Sequence, residues 1–236
     1  MFLFFKEQEV TYRQLDERTE RIAENLARFK VQPGEKVALL LPNIPEFLFA
    51  FFGVLKHGAV VVPMNPGLRG EEVARLLEHS ESRVLVTTPT LYSMIAPKRT
   101  ELSRLQLLFL VGERGGVGKV FSSLYVAGGP RRPEEIGPND PAALIYTSGT
   151  TGWPKGVVLT DHNYLFSAAQ FSRAMELSEQ DRLLGVLPLS EVGSQVILLL
   201  ASLFSGGSLV LMERFSPAEV FMTLERFRVT AFAGMF

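Results

Sequence analysis

Short apolar runs alternate with amphipathic segments along most of this chain. A strand stub is predicted at 1–5, and buried strands at 36–41, 59–62, 83–87, 105–111, 182–187, 208–212 and 229–233. Helical periodicity or strong apolar character predicts helices from residue 12 and at 45–56, 71–79, 90–96, 161–175, 192–204 and 217–228. We expect Pro63 to end the second of the buried strands, because proline cannot donate to a strand ladder.

Several helix starts carry capping signals. Thr11 and Gln14 have the spacing of a capping box, in which each side chain accepts a hydrogen bond from the other residue's backbone. Ser216 has the same pattern, with Pro217 at the first helical position. Asn43 is a candidate cap for the helix that begins at residue 45.

The order of elements predicts the fold class. Strands that are apolar throughout and alternate with helices are typical of parallel sheets covered on both faces. We therefore predict an α/β protein with layered, mostly parallel sheets flanked by helices. Residues 112–141 are rich in Gly and Pro, which predicts a first α/β lobe at 1–111, a connecting region at 112–141 and a second lobe at 142–236.

Composition limits the classes of function. The chain has 236 residues, is 47% hydrophobic and carries a net charge of −1, so it can form a substantial core and has no basic surface that favours nucleic acid. It contains no cysteine, which is compatible with the cytoplasmic location that we expect. Its three histidines lack the spacing of metal ligands, so we predict no metal site built by the protein.

One long uncharged stretch raises the question of a membrane span. Residues 192–212 carry no charge and have the length that a bilayer requires. Gly206 and Gly207 interrupt the stretch, and its two halves fit a buried helix followed by a buried strand. We favour the second interpretation and expect no transmembrane segment.

Residues 146–157 hold the strongest chemical signal. Four hydroxyl residues, three glycines and Lys155 follow Tyr146, and apolar runs lie on both sides. Glycines allow the backbone to approach an anion closely, successive N–H groups form an anion-binding concavity, and a lysine supplies a compact positive charge. The pattern predicts a polyphosphate-binding loop between two strands, and the alternative is an ordinary Ser/Thr/Gly-rich surface turn.

The string in this loop resembles the phosphate-binding signature of the adenylate-forming superfamily, which includes acyl-CoA synthetases, peptide-synthetase adenylation domains and luciferases. Further stretches resemble the N-terminal portion of that superfamily in the right order, among them residues 37–43, 58–63, 187–189 and 203–207. The similarity covers essentially the whole chain and is closest to medium- and long-chain fatty acyl-CoA synthetases.

The resemblance implies an acid–CoA ligase that forms AMP. In such enzymes a carboxylate attacks the α-phosphate of ATP to give an acyl-adenylate, and the sulfur of coenzyme A then displaces AMP. Magnesium accompanies the ATP. The residues that match the family's phosphate loop, and so are implied to bind the nucleotide, are Thr147, Ser148, Gly149, Thr150, Thr151, Gly152 and Lys155.

This sequence departs from the family pattern at two places. Glu191 stands where members often carry a histidine near the acyl pocket, and we interpret Glu191 and Gly193 as part of a substrate pocket that differs from the usual one. A carboxylate there would repel a carboxylate substrate unless it were protonated or paired. Asp161 stands where a histidine is usual, and we interpret it as an acid at a helix start.

The family's later motifs, including its catalytic lysine, are absent from this sequence. We therefore interpret the chain as an N-terminal fragment and expect it to self-associate, because strands meant to be covered would expose apolar surface. Two alternatives to the ligase remain open. The chain could be a non-catalytic fragment or nucleotide-binding scaffold, or it could belong to an amino-acid or aryl-acid adenylation domain.

Overall fold

A computed structural model describes residues 1–112, 117–129, 135–147 and 154–232. Its strands are β1 (Leu3–Phe5), β2 (Gln8–Val10), β3 (Lys36–Leu40), β4 (Val60–Met64), β5 (Val84–Thr87), β6 (Leu107–Leu110), β7 (Lys119–Val120), β8 (Pro141–Thr147), β9 (Lys155–Thr160), β10 (Arg182–Gly185), β11 (Ser208–Leu211) and β12 (Ala231–Phe232). Its α-helices are α1 (Tyr12–Arg28), α2 (Pro45–His57), α3 (Gly70–His79), α4 (Pro89–Ile95), α5 (Asp161–Ala174), α6 (Val192–Ser194), α7 (Ala201–Ser205) and α8 (Pro217–Phe227). Short 3-10 helices follow at Ala96–Lys98 and Phe121–Tyr125, and a π-helix at Gln195–Leu200 joins α6 to α7.

The chain forms two compact units, each assembled from separated stretches. One unit contains Met1–Asp16, Pro42–Leu48 and His162–Phe236, and the other contains Glu17–Leu41 and Phe49–Asp161. Each unit consists of segments that contact one another in space. The continuous division into lobes at 1–111 and 142–236 stays a prediction.

The larger unit is built on a seven-stranded sheet with the order β7-β6-β5-β3-β4-β8-β9. All of its neighbouring strands are parallel except β8 and β9, which are antiparallel. Strands β4 and β5 are buried at every position, as expected for parallel strands covered on both faces. On one face, residues of α3 such as Val73 and Leu77 pack with Leu40, Leu85 and other sheet residues into a buried cluster.

The smaller unit is built on a five-stranded sheet with the order β12-β10-β11-β1-β2. The N-terminal strand β1 lies parallel to β11, with Leu3 opposite Leu209, and only β2 runs antiparallel to its neighbour. Phe4, Leu184 and Val210 form a buried cluster to which α8 contributes Val220. Together the two sheets confirm the predicted α/β fold of mostly parallel sheets with flanking helices.

Details at the ends of elements test the local predictions. The capping box is confirmed, because the backbone N–H of Thr11 bonds Gln14 Oε1 at 2.9 Å and the N–H of Gln14 bonds Thr11 Oγ1 at 3.1 Å. The prediction of a capping box at Ser216 is wrong, because the Ser216 side chain makes no capping hydrogen bond. Pro217 does begin α8, as predicted. Ser216 is followed by a proline, and the proline's fixed φ itself favours the first helical turn.

The prediction that Pro63 ends its strand is also wrong. Strand β4 continues through Pro63 to Met64, with Pro63 opposite Leu39 of β3. The pairing of β4 with β8 lies earlier, at Val61 and Ala143. The missing N–H of Pro63 therefore falls where the ladder to β8 has ended, and the proline carbonyl remains able to accept.

The uncharged stretch at 192–212 divides as the glycines predicted. Helical segments occupy its first part through Ser205, Gly206 adopts a φ of 75°, and β11 follows at Ser208–Leu211. Such a left-handed residue at a helix end favours glycine, which has no Cβ to clash. None of the helices in the described part of the chain is both long enough and apolar enough to cross a membrane.

Candidate functional site

The two ends of the predicted phosphate loop are neighbours on paired strands. Thr147 is the last residue of β8, Lys155 is the first residue of β9, and the two lie opposite each other in the antiparallel ladder. Both are exposed, and the ammonium group of Lys155 has no hydrogen-bond partner within the described ranges. The other predicted loop residues lie outside the described residues: Ser148, Gly149, Thr150, Thr151 and Gly152.

The next pair of the ladder shows why the sequence folds this way locally. Tyr146 stands opposite Gly156, and these two residues with Thr147 and Lys155 are called the loop stem below. A Cβ on Gly156 would lie 3.5 Å from Tyr146 Cε1 and 2.9 Å from Cδ1 of Leu144. The glycine therefore leaves room for two large side chains of β8 to lie across the ladder.

The other end of this hairpin carries two acids. Pro141 and Thr160 are paired there, and the N–H of Asp161 lies 3.4 Å from the carbonyl oxygen of Asp140. Burial raises the pKa of the Asp161 carboxyl above its usual 3.8, and the charge of Asp140 raises it further. Asp161 is the first residue of α5, which confirms its interpretation as an acid at a helix start.

Glu191 and Gly193 belong to the smaller unit. Glu191 directly precedes α6 and its side chain makes no capping hydrogen bond, while its N–H bonds the carbonyl of Pro188 at 3.0 Å. The carboxylate of Glu191 is exposed and Gly193 is exposed as well. A Cβ on Gly193 would meet no atom within 4 Å, so close packing does not explain this glycine.

A buried asparagine forms hydrogen bonds with two other segments of the smaller unit that are distant in sequence. Asn43 Nδ2 donates to the carbonyls of Leu187 at 2.9 Å and Met212 at 3.3 Å, and its Oδ1 accepts from the N–H of Leu189 at 2.9 Å. These four residues are called the Asn43 junction below. The amide of Asn43 thus bonds segments that follow β10 and β11, and its role as a cap of the helix starting at Pro45 stays a prediction.

A second buried amide lies next to this junction along the chain. Gln195 is fully buried at the start of the π-helix, where its Nε2 donates to the carbonyl of Leu189 at 2.9 Å. Its Oε1 accepts a hydrogen bond from the hydroxyl of Tyr164 at 2.5 Å. Sequence reasoning missed both Asn43 and Gln195 as partners of the 187–189 segment. A lone amide in an otherwise apolar helical run was the available signal for Gln195.

The described residues contain no group of three or more His, Cys, Asp or Glu arranged to hold a metal ion. His57 and His79 are the last residues of α2 and α3, and His162 is the second residue of α5. His57 is buried, with its Nε2 2.8 Å from the carbonyl oxygen of Val31. All three histidines therefore lie at or next to a helix end.

Comparisons with known proteins give the loop its context. The sequence model of the AMP-binding enzyme family matches residues 1–235 of this chain. A curated relative, the crotonobetaine/carnitine–CoA ligase of Salmonella choleraesuis (strain SC-B67), is 32% identical over 227 residues, which cover 93% of this chain and 44% of the relative. The chain thus spans less than half the length of this relative.

Solved structures of acid–CoA ligases also resemble this chain. A structure titled as a putative long-chain-fatty-acid CoA ligase from Rhodopseudomonas palustris has a TM-score of 0.93 and 27% identity, covering 99% of this chain and 58% of that one. An anthranilate CoA ligase in complex with anthranoyl-AMP has a TM-score of 0.92 and 27% identity, covering 98% of this chain and 46% of that one. With the family match over 1–235, these findings show that the chain belongs to the AMP-binding enzyme family.

Proposed function

We propose that this chain supplies the phosphate-binding part of an acid–CoA ligase. The complete enzyme would activate a carboxylic acid with ATP through an acyl-adenylate and then form an acyl-CoA thioester. The pairing of Thr147 with Lys155 carries this proposal, because it brings a residue with a hydroxyl and a residue with an ammonium group opposite each other where the loop begins and ends. A family match over residues 1–235 and acid–CoA ligases among the relatives support it.

The proposed reaction places distinct demands on the loop. A carboxylate oxygen attacks the α-phosphorus of ATP, the bond to the bridging oxygen breaks, and pyrophosphate leaves. Thr147, Lys155 and the loop between them would hold the β- and γ-phosphates, with positive charge and N–H donors where negative charge accumulates on the leaving group. Magnesium enters as the Mg–ATP complex, since hard cations prefer phosphate oxygens.

The second step consumes the acyl-adenylate. The sulfur of coenzyme A, as thiolate, attacks the acyl carbon, and the bond to the phosphate oxygen breaks to release AMP. The loop has no charge to stabilise on a leaving pyrophosphate in this step. We therefore assign the loop residues to adenylation and expect their substitution to slow acyl-adenylate formation more than thioester formation from a supplied adenylate.

For the acid itself we propose a fatty acid, with Glu191 and Gly193 at its pocket. Glu191 has an exposed carboxylate, so it can turn toward solvent when a carboxylate substrate approaches. Gly193 leaves open space around its Cα, which leaves room for an acyl chain. Substituting Gly193 with a larger residue is expected to discriminate against long acyl chains without weakening Mg–ATP binding.

We further propose that the isolated chain self-associates and is cytoplasmic. Two large apolar side chains on α8, Phe221 and Met222, are 75% and 62% exposed, and Phe215 just before the helix is 58% exposed. Apolar surface of this kind is a common site of association. Light scattering that shows a monomer at high concentration would contradict self-association.

The central experiment is a calorimetric titration of the chain with Mg–ATP. A Thr150→Ala, Lys155→Ala double variant is compared with a Thr90→Ala, Lys98→Ala variant, which removes the same residue types around α4. Loss of a charged hydrogen bond is expected to weaken binding about tenfold or more. The control variant should bind like the starting chain.

Circular dichroism of each variant accompanies the titration. If the chain is folded and binds no Mg–ATP, or if both variants lose affinity equally, the assignment of the loop to nucleotide phosphates is wrong. Selective loss in the loop variant supports it.

A further inference from the structure

A histidine outside the loop motif holds the tyrosine that begins it. His79 Nδ1 lies 2.7 Å from the hydroxyl of Tyr146, and the two rings meet edge to face with their centroids 5.6 Å apart at 74°. His79 is 67 residues away in sequence, at the last position of α3. The contact therefore joins a helix end to the loop stem.

The protonation state of Tyr146 follows from its burial. Tyr146 is partly buried, and burial raises the pKa of its phenol to about 12, while a side-chain hydrogen bond with Ser80 lowers it in part. The phenol therefore keeps its proton at neutral pH, and its hydroxyl can donate a hydrogen bond to Nδ1 of His79 or accept one from it.

The end of α3 is held by core packing, so it can fix the contact between His79 and Tyr146. Val73, Ala74, Leu76 and Leu77 of α3 are buried, and Tyr146 packs at the border of the same cluster. The ring of His79 itself is exposed. Its imidazole consequently adds little to core packing, and its main contact is the hydroxyl and ring of Tyr146.

Strand β9, which carries Lys155, is held by less core packing than α3. Strand β9 lies at the edge of the seven-stranded sheet, and its first four residues are exposed. Its ladder partner is β8, so the direction in which Lys155 leaves the sheet depends on how β8 is held. Tyr146 is the residue of β8 adjacent to Thr147, and its ring lies over Gly156 of β9.

We propose that His79 is a positioning residue for the phosphate loop: its ring fixes Tyr146 and thereby sets the orientation of Thr147 and Lys155. The inference rests on the proposed function for its effect on nucleotide binding. The positioning itself is a property of the loop stem and can be measured with no nucleotide present. His79 contacts neither phosphate nor acid in this proposal.

The test combines His79→Ala, Tyr146→Phe and the double variant, with Glu78→Ala as the control on the exposed side of the same helix. Amide hydrogen exchange is followed at the loop stem and, for reference, at β3. We expect about three- to tenfold faster exchange at the loop stem in both single variants, the effect of losing one hydrogen bond. Exchange at β3 should stay unchanged, and so should the whole pattern in Glu78→Ala.

The same variants are titrated with Mg–ATP. Each single variant is expected to weaken binding about three- to tenfold, and the double variant no more than either one, because one shared contact is lost. His79→Gln should recover part of the affinity, since an amide can also bond the phenol. The midpoint of thermal unfolding should move by about 2 °C or less in His79→Ala, as for an exposed side chain.

The two proposals fail in different ways. Unchanged exchange at the loop stem in His79→Ala, or additive losses in the double variant, would overturn the positioning role. Faster exchange in a chain that binds no Mg–ATP would support the positioning of the loop stem while contradicting the proposed phosphate binding.

Discussion

The loop stem and the Asn43 junction are two ways in which this fold places polar groups near its loops. The loop stem is local: Thr147 and Lys155 are brought together by one hairpin, and both side chains face solvent. The Asn43 junction is long-range, because its bonds join residues 144, 146 and 169 positions apart, and Asn43 is 6% exposed. The comparison teaches that one hairpin can bring together residues close in sequence, whereas the bonds of a buried amide come from residues dispersed along the chain.

The two regions also differ in how much their polar groups contribute to the free energy of folding. A solvent-exposed hydroxyl or ammonium exchanges one water contact for another, so it contributes little to folding. A buried amide that satisfies three backbone groups prevents the desolvation cost of leaving each of them unpaired. Substitution of the exposed side chains of Thr147 and Lys155 should therefore cost little stability, whereas the Asn43 junction should be sensitive to any change.

Replacing Asn43 with alanine gives the largest expected effect. The change leaves the carbonyls of Leu187 and Met212 and the N–H of Leu189 without their partner. We expect a loss of about 3 kcal/mol or more in the free energy of unfolding, measured by urea denaturation. The large effect would arise because three backbone groups lose their partner at once at a buried position.

Asn65→Ala is the matched control for this prediction. Asn65 is exposed, and its Oδ1 accepts one local hydrogen bond from the N–H of Gly67 at 2.8 Å. Its loss should cost about 0.5 kcal/mol. Equal destabilisation by the two alanine variants would remove the distinction between the long-range junction and a local turn.

The same contrast explains what the sequence could predict. Apolar runs and their spacing predicted most strands and helices, because period and composition are local properties. The loop motif predicted a strand on each side of it, and β8 and β9 are there. The roles of Thr147, Lys155, Glu191 and Gly193 in binding stay predictions.

The parts that could not be predicted depend on distant partners. Asn43 has a cap-like place before Pro45, and only the positions of β10 and β11 show that its amide is used elsewhere. His79 likewise has the sequence context of a helix end, and its bond to Tyr146 depends on how α3 packs. A pattern along one segment contains no information about which other segment lies beside it.

Gly156→Ala should have an intermediate effect, on the loop stem. The new Cβ would lie 2.9 Å from Cδ1 of Leu144, so the Leu144 side chain must shift. We expect a loss of about 1 kcal/mol and weaker Mg–ATP binding, because Tyr146 lies against the same position. Adding Leu144→Val removes the crowded carbon, so the double variant should lose less than the sum of the two single losses.

Gly193→Ala is the control from the other region. No atom lies within 4 Å of its added Cβ, and the position is helical, where alanine is favoured over glycine. We expect a gain of about 0.5 kcal/mol. A loss at Gly193 as large as that at Gly156 would show that the stem glycine is not specially constrained.

The smallest effect concerns the acids at the far end of the hairpin. Burial, and then the charge of Asp140, raise the pKa of Asp161 in the folded state above its ordinary 3.8. The folded state thus holds this proton more tightly than the unfolded chain, so ionisation of Asp161 opposes folding. Asp161→Asn should therefore stabilise the chain relative to the original increasingly as the pH rises from about 3.8 through the folded pKa, and the gain should then level off.

Asp181 in the smaller unit provides a control of opposite sign. A hydrogen bond from Thr230 is the main cause that lowers the pKa of Asp181 below 3.8, with further bonds from Ser178, while burial acts the other way. Its ionised form favours folding, and that stability is present above pH 3.8 and lost as the pH falls through the folded pKa. Asp181→Asn should accordingly become more destabilising, relative to the original chain, as the pH rises through that window, whereas Asp161→Asn becomes more stabilising. Thermal unfolding of both variants across this pH range measures the two slopes, and slopes of the same sign would show that the environments of these acids are not opposite.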